Sequence, residues 1–167
     1  MRKTAPHGCS ARRSIIAAAL GVGIAANACT GGEGNMFRHP IPGNGQLEGE
    51  LRIHQKDTYS IAIEAIIAPS IPNARQHAWN YLETPNASVP LHIEISIHKD
   101  DGTLVFSGDA VDPKLSSWNA KKLYLEVARV QLMSGHYRVR STQTGKDLSQ
   151  QPSFKSNLVI TPAYEGK

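Results

Sequence analysis

The chain has 167 residues, with 18 basic and 14 acidic side chains and a formal charge of +4. Arg2, Lys3, Arg12 and Arg13 carry the whole excess, ahead of the first acidic residue, Glu33, so the remainder is formally neutral and lacks the basic stripe of a nucleic-acid binder. The two cysteines, Cys9 and Cys29, both fall near the N-terminus, so no disulfide is expected to staple the body, and roughly 140 residues bury enough surface to do without one.

In chain order, the four basic residues form the n-region of an export signal. Ser14 to Ala28 is an uncharged run of small and apolar residues ending in Ala-Asn-Ala. It is shorter than the roughly 20 apolar residues that cross a bilayer. Cleavage between Ala28 and Cys29 would leave Cys29 first, the position at which bacterial lipoproteins are acylated. The preferred expectation is a signal over 1–28 and a diacylglycerol, palmitate-bearing anchor at Cys29, with plain secretion as the alternative. Thr30 stands where Asp would signal inner-membrane retention, so in a cell with two membranes the outer one, facing the periplasm, is favoured. Residues 29–45 hold five glycines and two prolines and read as a flexible tether.

From Gln46 the pattern changes to period two, the mark of half-buried strands. Leu47, Gly49, Leu51 and Ile53 alternate with Glu48, Glu50, Arg52 and His54. Tyr59, Ile61 and Ile63 follow the same rule. Ala74 to Leu82 suits one or two helical turns inside a long connection that runs to Pro90. Leu91, Ile93, Ile95 and Ile97 alternate with His92, Glu94, Ser96 and His98, and Asp100-Asp101-Gly102 then turns the chain into an antiparallel partner over Thr103 to Ser107. A second long connection, Ala110 to Lys121, carries Trp118. Lys122 to Val130 places Leu123, Leu125 and Val127 on one face as a strand, with a short helix as the alternative. Gly135 to Ser141 and Phe154 to Thr161 complete about seven strands. Together they predict an all-β, immunoglobulin-like antiparallel sandwich over 46–167. Leu132-x-x-Gly135-x-Tyr137 has the spacing of a tyrosine corner, whose hydroxyl should meet a backbone group near Val130 or Gln131.

Candidate chemistry is sparse. Gly21-Val22-Gly23-Ile24-Ala25-Ala26 matches a dinucleotide fingerprint but lies in the export signal, outside any βαβ unit. His92, Glu94 and His98 share a strand face, with Glu64 a candidate neighbour. Successive same-face positions are nearly 7 Å apart, so the two histidines lie too far apart to share an ion. Asp100, Asp101, Asp109 and Asp112 are better explained by turn formation than by calcium. No metal or cofactor is expected, and no nucleophile and base are paired in the sequence. Asn86-Ala87-Ser88 fits a glycosylation acceptor that bacterial origin would leave unused. Trp79, Tyr81 and Trp118 sit in the long connections, either as lids on the core or as anchors for a partner.

The residues Tyr59-x-Ile61-x-Ile63, Val89-Pro90-Leu91-x-Ile93-x-Ile95 with Asp101-Gly102, Ser117-Trp118, and Leu132-x-x-Gly135-x-Tyr137-Arg138-Val139 resemble the bacterial lipoproteins grouped as domain of unknown function 5625. The resemblance covers roughly Gln46 to Thr161, and it implies a β-sandwich in the cell envelope with no assigned reaction. The expected function is a membrane-anchored, non-catalytic protein-binding module, in its concrete form an immunity protein against an envelope-targeting effector. A structural accessory subunit of an envelope assembly is the alternative, followed by a small-ligand-binding or hydrolytic domain.

Overall fold

In a computed structural model, described over residues 37–43, 45–83 and 89–163, the period-two segments are strands of two antiparallel sheets. The elements are β1 (Phe37–Pro40), β2 (Gln46–Ile53), β3 (Asp57–Ile67), α1 (Ala74–Glu83), β4 (Leu91–Lys99), β5 (Leu104–Val111), β6 (Leu115–Trp118), β7 (Lys122–Leu132), β8 (Gly135–Gly145) and β9 (Phe154–Pro162). One sheet has the order β1-β9-β3-β7-β6 and the other β2-β8-β4-β5. The fold is an all-β sandwich, and its seven predicted strands correspond to β2, β3, β4, β5, β7, β8 and β9.

Burial follows the alternation. Leu91, Ile93, Ile95 and Ile97 of β4 face Ile61, Ile63, Leu123, Leu125, Leu158 and Ile160 of the other sheet in one apolar core. Apolar burial at about 25 cal/mol per Å² drives this packing, and the absence of cysteine from the body means that nothing covalent adds to it.

Two expectations are corrected. The tether boundary at residue 45 is too late: β1 pairs with β9 from Phe37↔Ile160 to Pro40↔Asn157, and Phe37 and Ile41 belong to the core. The glycines and prolines around this short strand hide it from a composition reading. Second, Ser116 to Trp118, read as part of a connection, lies in the edge strand β6. Val127 packs against the core that holds Leu123 and Leu125, but the strand is less regular than its alternation. Ile61 pairs with Ala128 and Ala62 with Glu126, so Val127 is the extra residue of a bulge.

The turn after β4 forms as expected, with Gly102 at φ 84°, Lys99 N–H donating to the Thr103 carbonyl at 2.9 Å and Asp101 Oδ1 accepting from Thr103 N–H at 2.8 Å. At the same end of the sandwich, Tyr137 is buried and its hydroxyl donates to the Met133 carbonyl at 2.8 Å. The clamp therefore closes on the β7–β8 turn itself, four residues back, and not on Val130 or Gln131. Leu132 is buried beneath it, and Gly135 opens β8. Tyr59 makes the same four-residue span to the Gln55 carbonyl at 3.2 Å, in the β2–β3 turn.

Candidate partner-binding surface

The opposite end of the sandwich gathers the long connections. Ala74, Ala78 and Leu82 recur every four residues, which puts them on one helical face. All three are buried where α1 meets β3 and β9. The helix has no basic residue in its last turn, yet Lys146 supplies a cation from the β8–β9 connection: its Nζ donates to the Tyr81 carbonyl at 2.9 Å. Terminal helix carbonyls lack intrahelical partners, and a cation there also offsets the helix dipole. Lys146 is only 8 % exposed, and its ammonium lies 5.0 Å from the centre of the Tyr81 ring.

Of the three predicted aromatic anchors, Tyr81 is an internal bolt. It is half-buried, its hydroxyl donates to the Asp147 carbonyl at 3.1 Å, and its ring lies 6.1 Å from that of Phe154. Burial and the Asp147 charge push its phenol upward. Trp79 and Trp118 are brought together edge to face, with centroids 5.3 Å apart and planes at 74°. Trp79 is half-buried against the core while Trp118, at the end of β6, is 57 % exposed. An exposed indole already held by a second ring loses little freedom on binding. Cys29 and Ala28 lie outside the described residues, as do Asn86, Ala87 and Ser88.

The outer face of the four-stranded sheet carries the polar half of the alternation. A shallow trough of about 710 Å³ there is lined by Glu48, His92, Glu94, Ser96, Asp109 and Arg140, among others. His92 Nε2 lies 4.0 Å from Glu94 and 3.6 Å from Asp109, and Glu48 accepts approaches from Arg138 and Arg140 at 3.4 Å each. The two pairs of Glu48 are half exposed and contribute at most about 1 kcal/mol each. His98 stands at the far end of β4, opposite Arg138. Among the described residues no three His, Cys, Asp or Glu side chains converge on a metal position. The four candidate aspartates are also dispersed: Asp100 and Asp101 sit at one end of the hairpin, while Asp112, at the other, accepts from Leu91 N–H at 2.9 Å.

Glu64 is not beside His92 at all. It lies on the outer face of the five-stranded sheet, opposite Asn157 and Tyr124, and its side chain is 0 % exposed. Lys122 reaches it at 2.6 Å, Tyr124 Oη at 3.0 Å, Arg38 at 3.1 Å and Asn157 Nδ2 at 3.2 Å. Burial alone would raise its carboxyl, but the hydrogen bonds from Lys122 and Tyr124 and the charges of Arg38 and Lys122 outweigh it and hold the group below its usual range. Tyr124 is in turn pushed up to about 12 by burial and by the neighbouring carboxylate. The signal in the sequence was a lone acid in Ile61-Ala62-Ile63-Glu64-Ala65-Ile66, a run apolar on both faces.

Among the described residues, the fold and the exposed aromatic end define the class, a two-sheet β-sandwich with one helix at its end. No family model matches the chain, and no curated protein does. Among solved structures, the chain is similar to a protein from Sulfurospirillum deleyianum at 15% identity and a TM-score of 0.56, covering 80% of this chain and 100% of that one. It also matches the VP2 subviral particle of infectious bursal disease virus at 13% identity and a TM-score of 0.31, over 77% of this chain and 30% of that one. The first likeness is one of fold.

Proposed function

We propose that this protein is a non-catalytic binding module, anchored to a cell-envelope membrane through acylated Cys29, that holds a protein partner at the helix end of its sandwich. The observation that carries this reading is Trp118, a large aromatic left 57 % exposed and oriented by Trp79. Exposed, pre-oriented tryptophan is a typical centre of a binding hot spot.

The resemblance to the lipoproteins of domain of unknown function 5625 supports an envelope location. In its concrete form the reading makes the partner an antibacterial effector delivered to the periplasm, and this chain its immunity protein.

Affinity capture of the intact chain from membranes tests the reading. Trp118→Ala is expected to lose its partner at least about tenfold, as hot-spot truncations do, with an unchanged melting midpoint, whereas Trp118→Phe retains part of it. Capture at the wild-type level by Trp118→Ala would refute the aromatic anchor. Palmitate labelling that persists in Cys29→Ser would refute the lipid site. The immunity form requires cells lacking the chain to succumb to a sibling effector; unchanged survival rejects it.

A further inference from the structure

Every open sheet has edges whose backbone groups invite another strand, and natural sandwiches blunt them with short strands, prolines, lysines or covering side chains. Three of the four edges here are managed in this way. β1 and β6 are four residues long, and β1 ends at Pro40. β2 is flanked by β1, whose Phe37 and His39 rings lie so close over Gly49 that a Cβ there would strike both. β5 is the least protected of the four: a bulge at Val105 marks its start and β7 lies near it, but it spans eight residues, Leu104–Val111, without Lys, Arg or Pro, and among the described residues it pairs only with β4.

The hydrogen-bond phase shows which groups are free. Asp112 N–H donates to the Leu91 carbonyl at 2.8 Å. Antiparallel ladders alternate, so Ala110, Gly108 and Phe106 turn their backbone groups toward β4. Val111, Asp109 and Ser107 turn theirs away, and all three are exposed. Their side chains rise on the outer face, where Ser107 and Asp109 line the trough beside Glu94. Asp109 is 69 % and Glu94 63 % exposed, and among the described residues no Lys or Arg reaches within 4.0 Å of either; His92 stands between them. Val111, two positions along, is an apolar side chain left 58 % exposed.

We infer that β5 accepts an extended segment of the protein partner as an added antiparallel strand, with Lys or Arg opposite Asp109 and an apolar residue opposite Val111. This rests on the reading of the chain as a protein-binding module and adds a second surface to it. Main-chain hydrogen bonds to Ser107, Asp109 and Val111 would hold the segment, and alternate side chains would select it. A cation opposite Asp109 pairs with it across the new ladder, whereas an acid there would face its carboxylate.

The probe is a blocked peptide, Thr-Val-Thr-Lys-Thr-Val-Thr, titrated to millimolar concentration into the isotopically labelled full chain. Amide exchange is expected to slow at least about tenfold at Ser107, Asp109 and Val111 as their backbone groups become paired. The same peptide with Glu for Lys should bind about fivefold or more weakly, as opposed cross-strand charges do. Ser107→Pro removes an outward N–H without touching the β4 ladder, and should abolish the protection with the melting midpoint kept. Asp109→Lys should reverse the preference in favour of the Glu peptide, which keeps the test open if the proline variant folds poorly. Protection elsewhere, equal binding of the two peptides, or none at millimolar peptide overturns the inference. So does slowed exchange in the absence of peptide that grows with protein concentration, which would assign the edge to a second copy of the chain. None of these readouts involves Trp118, so a failed peptide with Trp118-dependent capture intact removes the strand-addition site alone.

Discussion

Glu64→Gln is the most informative change to make in the body of this protein. The substitution keeps the volume and an acceptor oxygen for Tyr124, but it sets an amide NH2 against the Asn157 Nδ2 donor and removes the charge that Lys122 meets at 2.6 Å and Arg38 at 3.1 Å. Removing one partner of a fully buried pair costs about 3 to 5 kcal/mol. Arg38 is 41 % and Lys122 27 % exposed, so both cations regain some water, and a cost of about 2 to 3 kcal/mol is expected. For a domain of this size that lowers the melting midpoint by roughly 10 °C. The dependence on pH separates a charge effect from a packing effect. Because the folded-state carboxyl lies below its usual value of 4.5, its stabilisation is complete above that value and is lost as the pH falls through the depressed folded-state pKa. Urea melts of wild type and Glu64→Gln should therefore differ most at neutral pH and converge at strongly acid pH. A difference below about 0.5 kcal/mol at pH 7, the size of an ordinary surface substitution, or one unchanged in acid would sink the argument.

Tyr137→Phe deletes the hydroxyl bond to the Met133 carbonyl and should cost about 1 kcal/mol in denaturant melts; a neutral result would deny the clamp any energetic role. Gly145→Ala should destabilise by more than about 3 kcal/mol, since Gly145 has φ 82° and a Cβ there would run into the Pro90 carbonyl oxygen. Soluble, wild-type-like melting of that variant would contradict the turn geometry. In a spectrophotometric titration, Tyr124→Phe should remove the tyrosinate step pushed up to about 12. The raised phenol also means that wild-type stability declines as the pH rises from the ordinary tyrosine value of 10.0 toward 12.

The strands were legible because one-sided burial writes itself as alternation. Leu91 to His98 reads as a half-buried strand before any coordinate is known, and its burial follows that reading. Alternation fails where its premise fails. Val127 interrupts the pleat of β7, and a bulge leaves no compositional trace. β1 is too short for two periods and is defined by its partner β9, an interaction of long sequence separation. The same limit hid the environment of Glu64. Strand order decides whether it faces His92 or lies beneath Arg38 and Lys122, and strand order is a property of pairing rather than of any one segment.

The aromatic end shows how a residue's type can be visible while its role is not. Trp79, Tyr81 and Trp118 stood out equally as aromatics in long connections. Their roles diverge because of polar partners: the Tyr81 hydroxyl is spent on the Asp147 carbonyl, and its own carbonyl receives Lys146. That pair of bonds fixes the C-terminal end of α1, a helix whose sequence supplies no cation there. Fixing α1 places Trp79, and Trp79 in turn orients the exposed ring of Trp118. A helix this short is marginal by itself in water. The rigidity of the proposed contact surface therefore originates in the β8–β9 connection, and loosening Lys146 should weaken a partner's grip on Trp118 without removing any atom from the interface.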